Sequence, residues 1–91
     1  MYTITTTPGD HVDTTNTIPE ALAAIASQLT IQLPEGPVAW CITDPAGTQH
    51  GGTNALNGRL DLLTTTVDEL VDDLYTALHR SADGGPHAAR R

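Results

Sequence analysis

Residues 66–80 read TVDELVDDLYTALHR. Val67, Leu70, Val71, Leu74 and Leu78 fall at i, i+3, i+4, i+7 and i+11, which at 3.6 residues per turn gives one narrow apolar stripe. Thr66 followed by Glu69 has the spacing of a capping box, in which the hydroxyl accepts from the Glu69 N–H and the carboxylate reaches back to the Thr66 N–H. Asp68 and Glu69 then sit at the positive end of the helix dipole, and His79 and Arg80 at the negative end. Gly84-Gly85-Pro86 follows as a stop. The spacing predicts a helix over residues 66–80.

The face opposite the stripe carries Asp68, Glu69, Asp72 and Asp73. The dipole accounts for the first two. Asp72 and Asp73 have Thr76 and Ala77 four residues on, so no basic partner stands at helical spacing. The plain reading is a solvated face. The sharper one is a docking surface for a partner with basic side chains.

Outward from this helix, residues 59–65, RLDLLTT, place Leu60 and Leu62 on alternate positions and read as a strand. Further back, residues 38–43, VAWCIT, form a strand with Val38, Trp40 and Ile42 on one face and Ala39, Cys41 and Thr43 on the other. Asp44-Pro45-Ala46-Gly47 fits a type I turn, and Thr48, Gln49 and His50 begin a return strand. Gly51-Gly52-Thr53-Asn54 and Asn57-Gly58 read as an irregular connection. Upstream, Thr17-Ile18-Pro19-Glu20 is a second capping box, with proline in the first turn, where its missing N–H costs nothing. The stripe Ile18, Leu22, Ile25 and Leu29 carries that helix to about residue 30. The chain opens on YTITTT (2–7), a Pro8-Gly9-Asp10 turn and HVDTT (11–15), a hairpin with one Thr-rich face.

The order β-β-α-β-β-β-α predicts an α+β domain, a small antiparallel sheet of four to five strands with two helices on one face. Residues 1–80 are expected to form one domain, and residues 81–91 a disordered tail. The expected core is Ile4, Leu22, Ile25, Leu29, Val38, Trp40, Ile42, Leu60, Leu62, Val67, Leu70, Val71, Leu74 and Leu78.

Ninety-one residues with a formal charge of −7, no Phe, one Trp and two Tyr give a core of aliphatic side chains. All the basic residues are Arg, and the negative charge argues against direct nucleic-acid binding and against anionic membrane surfaces. Absent Lys and Phe beside abundant Ala, Thr, Gly and Asp suggest a GC-rich bacterial, phage or plasmid genome. No apolar run reaches the length of a membrane span and the first residues lack a signal-peptide pattern, so the cytoplasm is the expected location.

Little points to chemistry. Cys41, the single cysteine, lies mid-strand, away from a helix N-terminus that would lower its pKa. Its plain role is that of a small apolar side chain. His11, His50, His79 and His87 lack ligand spacing, so neither a metal nor another cofactor is expected. His50-Gly51-Gly52 lacks P-loop spacing. The first functional reading is therefore a non-enzymatic interaction or regulatory module that uses Asp68, Glu69, Asp72 and Asp73 against a basic protein surface, such as an accessory protein of a phage or mobile element. The second is a small-ligand site or enzyme built from Trp40, Cys41, His50, Gly51 and Gly52. The third is a homodimeric structural subunit paired through an edge strand or the Ala39/Cys41 face.

Overall fold

Thr17 stands at extended φ/ψ before the first helix, α1 (Ile18–Gln32), and its Oγ1 accepts from the Glu20 N–H at 3.3 Å. The Glu20 carboxylate answers by accepting from the Thr17 hydroxyl and from the Asn16 N–H, both at 3.2 Å. The box thus closes one residue further out than the sequence suggested. Thr17→Ala removes the acceptor at a helix start and is expected to cost about 1 kcal/mol. The check is a lower urea midpoint at unchanged slope.

The computed structural model describes residues 1–7 and 9–83. Four antiparallel strands, β1 (Tyr2–Thr7), β2 (His11–Thr15), β3 (Val38–Thr43) and β4 (Gln49–Asn54), form one sheet in the order β2-β1-β3-β4. Register fixes the faces, because directly paired residues point the same way. Ile4 pairs with Ile42 and Ile42 with His50; Thr6 pairs with Trp40 and Trp40 with Gly52. Tyr2, Ile4, Thr6, Val38, Trp40 and Ile42 therefore share the buried face, under α1. The other face carries Thr3, Thr5, Thr7, Val12, Thr14, Ala39, Cys41, Thr43 and Thr53, and none of these is fully buried. It is the open, Thr-rich face that the alternation of YTITTT and VAWCIT implies.

Residues 59–65 are not a fifth strand. Leu60–Leu62 is a 3₁₀ turn, and the second helix, α2, runs from Leu63 to Asp83. Leu60 and Leu62 are exposed, at 58% and 39% of their surface, and leave the expected core. The reason is that Leu63, four residues before Val67, extends the helical stripe one turn back. Burying Val67, Leu74 and Leu78 along one helix, with Leu63 half-buried behind them, outweighs the short period-2 pattern of Leu60 and Leu62. Thr66 accordingly lies inside the helix rather than at its cap. Leu56, Asn57, Gly58 and Arg59 make the reversal ahead of it, with Asn57 and Gly58 both at positive φ and an Arg59 N–H to Leu56 C=O bond of 2.9 Å.

α2 packs chiefly along α1. Its helix also takes in Ser81, Ala82 and Asp83, which the sequence reading assigned to the tail. The proposed Gly84-Gly85-Pro86 stop and the rest of that tail lie outside the described residues. The core contains Ile4, Leu22, Ile25, Leu29, Val38, Trp40, Ile42, Val67, Leu74 and Leu78 as expected, with Leu70 and Val71 partly buried against it. Tyr2, Ile18, Ala21, Leu33 and Leu56 complete it.

Candidate functional site

The outer side of α2 is built by the same period that buries its inner side. At 3.6 residues per turn Asp68, Asp72, Glu69 and Asp73 spread over an arc of about 140°, centred opposite the stripe. All of them are exposed. Asp68/Asp72 and Glu69/Asp73 are like-charged pairs at i, i+4, each of which weakens a helix by about 0.2–0.5 kcal/mol. Among the described residues the ion pairs involve Asp13, Asp44 and Asp61, so none of these carboxylates has a cation held against it. Beside them Tyr75, 53% exposed, packs against His79 with ring centroids 4.3 Å apart and planes tilted by 47°. An aromatic ring flanked by carboxylates that hold no cation among the described residues is suited to a cationic or amphipathic side chain from another molecule.

The second group of candidates is divided by the pleat. Trp40, His50 and Gly52 lie on the helix side of the sheet, Cys41 and Gly51 on the open side. Cys41 and His50 therefore do not converge. Gly51 and Gly52 belong to β4 and are not an irregular connection. A Cβ on Gly52 would come 3.2 Å from Trp40 Cζ2, so the missing side chain makes room for the indole. The indole is anchored in turn by Nε1 donating to Asn54 Oδ1 at 2.7 Å.

His50 is held by Asp44, a carboxylate whose sequence context points only to a turn. Asp44 does make that turn: the Gly47 N–H donates to its carbonyl at 2.9 Å, and Gly47 takes positive φ. Its carboxylate is also buried, and it accepts from the Ala46 N–H at 3.0 Å and the Thr48 N–H at 2.9 Å through Oδ1. Oδ2 accepts from the Ser81 hydroxyl at 2.6 Å and lies 3.3 Å from His50 Nε2. Burial pushes this carboxyl up, but the bonds from Ser81, His50 and the Thr48 and Ala46 backbone outweigh it and hold it below its ordinary value of 3.8. Ser, His and Asp meet here, yet the carboxylate sits between the other two. Nucleophilic activation needs the imidazole in that middle place. The cluster is a clamp that ties the β3–β4 turn to the last turns of α2.

A cavity of about 460 Å³ lies at the far end of α1, lined by Gly9, Gln32, Glu35, Gly36 and Pro37. Gln32 Nε2 bonds Thr6 Oγ1 and Gln28 Oε1 there, while its own Oε1 is buried without a partner among the described residues. None of the Trp40, Cys41, His50, Gly51 and Gly52 group lines it. Among the described residues no cluster of His, Cys, Asp or Glu has metal-site geometry, and no helix is long and apolar enough to cross a membrane.

The clamp is the feature sequence reasoning missed. Ser81 lies thirty-seven residues from Asp44, in the stretch whose sequence reads as a tail. The one available signal was the Asp-Pro-Ala-Gly turn itself, which fixes the Asp side chain over its own backbone. Compared with protein-family models, with curated proteins and with solved structures, the chain matches none of them.

Proposed function

We propose that this chain is a small acidic interaction or regulatory module, without enzymatic activity, that docks through Asp68, Glu69, Asp72 and Asp73 onto a basic surface of a partner protein. One observation carries the reading: the outer face of α2 keeps these exposed carboxylates together in like-charged i, i+4 pairs, although solubility alone does not require an arrangement that weakens the helix. A partner's Arg and Lys side chains would relieve that repulsion on binding, and their attraction would also speed encounter. In its sharper form the partner surface is one that otherwise holds nucleic acid, and the chain is an accessory protein of a phage or mobile element. The −7 charge of the whole molecule supports that form.

The test is affinity capture from a lysate with the wild type and an Asp72→Lys/Asp73→Lys variant. The double substitution sets a lysine four residues after Asp68 and another after Glu69, the favourable orientation on a helix. The variant is therefore expected to gain a few tenths of a kcal/mol in stability while losing the partner. A loss of binding then has no explanation in misfolding. Binding by the wild type should also weaken steeply as salt rises, since exposed charges are screened beyond about 8–10 Å near physiological ionic strength. A partner retained by the variant and indifferent to salt would overturn the reading.

A further inference from the structure

β4 ends the sheet, and its outer backbone groups can be assigned from one hydrogen bond. The Asp44 N–H donates to the Thr48 carbonyl at 2.9 Å, which puts Asp44 and Thr48 at a hydrogen-bonded position of the ladder, although the Thr48 N–H itself turns to the Asp44 carboxylate. In an antiparallel ladder such pairs alternate with non-bonded ones. Continuing the register, His50, Gly52 and Asn54 bond inward to Ile42, Trp40 and Val38. The N–H and C=O groups of Gln49, Gly51 and Thr53 therefore point away from the sheet. All three residues are exposed, and β4 pairs residue for residue with β3 without a bulge.

Edge strands are normally blunted by charge, proline, bulges or cover. QHGGTN has none of the first three, and its outward residues are uncovered among the described ones. The opposite edge, β2, carries the His11–Asp13 pair. We propose that β4 is a self-pairing edge: two copies of this chain join antiparallel about a two-fold axis at Gly51, making one continuous sheet.

Gln49 and Thr53 stand two residues either side of Gly51, so with the axis at Gly51 each Gln49 faces Thr53 of the other copy and Gly51 faces its own equivalent. Each of these facing pairs can exchange both of its backbone bonds. In a molecule of charge −7, β4 carries no Asp, Glu, Lys or Arg, and so offers a neutral line of approach to another acidic copy. A single short strand buries less than the roughly 1,000 Å² of a stable interface, so the dimer is weak and concentration-dependent. This inference is independent of the acidic-face reading, and its salt response has the opposite sign: screening the like charges of two copies strengthens the dimer.

The experiment is sedimentation of the full chain from about 1 µM to about 1 mM, with amide hydrogen exchange at both ends of the range. The expected result is a mass rising from monomer toward dimer, with the Gln49, Gly51 and Thr53 amides becoming protected as concentration rises. The His50, Gly52 and Asn54 amides should be protected throughout. Thr53→Pro removes one outward N–H and leaves the β3 ladder intact, and it should weaken the dimer at least about tenfold. The exchange pattern is read on the wild type and decides the matter even if that variant fails to fold. A monomer at every concentration overturns the proposal. So does a dimer in which the three outward amides exchange as fast as in the monomer.

Discussion

Asp44→Ala is expected to destabilise the fold by about 2–4 kcal/mol, a large fraction of the roughly 5–13 kcal/mol available to a chain of this length. The carboxylate accepts from the Ala46 and Thr48 backbone and from the Ser81 hydroxyl, and it lies against His50 Nε2. Removing it leaves the half-buried Ser81 hydroxyl and His50 without this acceptor, turns the Ala46 and Thr48 N–H groups over to water, and cuts the tie between the β3–β4 turn and α2. Hydrogen bonds to a charged group are worth about 1.5–3 kcal/mol, and rehydration of the exposed Ala46 and Thr48 returns part of the loss. Thermal or urea unfolding gives the value. Ser81→Ala should cost less, because it removes one donor and leaves the turn itself intact.

The same carboxylate sets an acid limb. Its folded pKa is depressed below 3.8, so its stabilisation is present above that value. It is lost as pH falls through 3.8 and on through the lower folded value. As pH falls below about 4 the wild type should therefore lose stability faster than Asp44→Asn, which starts lower and has no carboxyl to titrate at this position. Parallel curves for the two proteins would remove Asp44 from the acid response.

Trp40→Ala is expected to cost about 3–5 kcal/mol, the usual range for truncating a large buried aromatic. Trp40 is the only tryptophan in a chain without phenylalanine, and it is 9% exposed. Its ring covers the space that Gly52 leaves open and its Nε1 satisfies Asn54 Oδ1. Alanine would open a cavity beneath α1, orphan the Asn54 acceptor and leave β4 with neither a side chain at Gly52 nor a ring over it. Asn54→Ala isolates the hydrogen bond and should cost only about 1 kcal/mol. The difference between the two variants, read by urea unfolding, measures the packing.

How much of this was legible in the sequence depended on whether one period stood alone. In IPEALAAIASQL the capping box and the 3.6-residue stripe agree, and α1 starts where they place it. In YTITTT and VAWCIT the alternation has no helical competitor, and both strands and their faces follow. In LDLLTTTV two periods overlap. Leu60 and Leu62 support a strand, Leu63 and Val67 a helix, and only the tertiary gain of laying a longer helix on α1 decides between them. Gly51-Gly52 reads as a break because glycine weakens strands. It is a strand here because Trp40, opposite Gly52 in register, supplies the contact a side chain would have made. The exposed carboxylates of α2 needed only the helical period. The Asp44–Ser81 clamp needed the fold, since no local pattern joins a turn to a helix end so far along the chain.

Amide chemical-shift mapping of the chain titrated with the partner recovered by capture locates the docking face residue by residue. Shifts are expected to concentrate on α2 from Asp68 to Thr76, with the open face and edge of the sheet unmoved, and to disappear in Asp72→Lys/Asp73→Lys. Shifts centred on β1–β4 with α2 silent would contradict docking through α2, as would a capture that yields no partner sensitive to the double substitution.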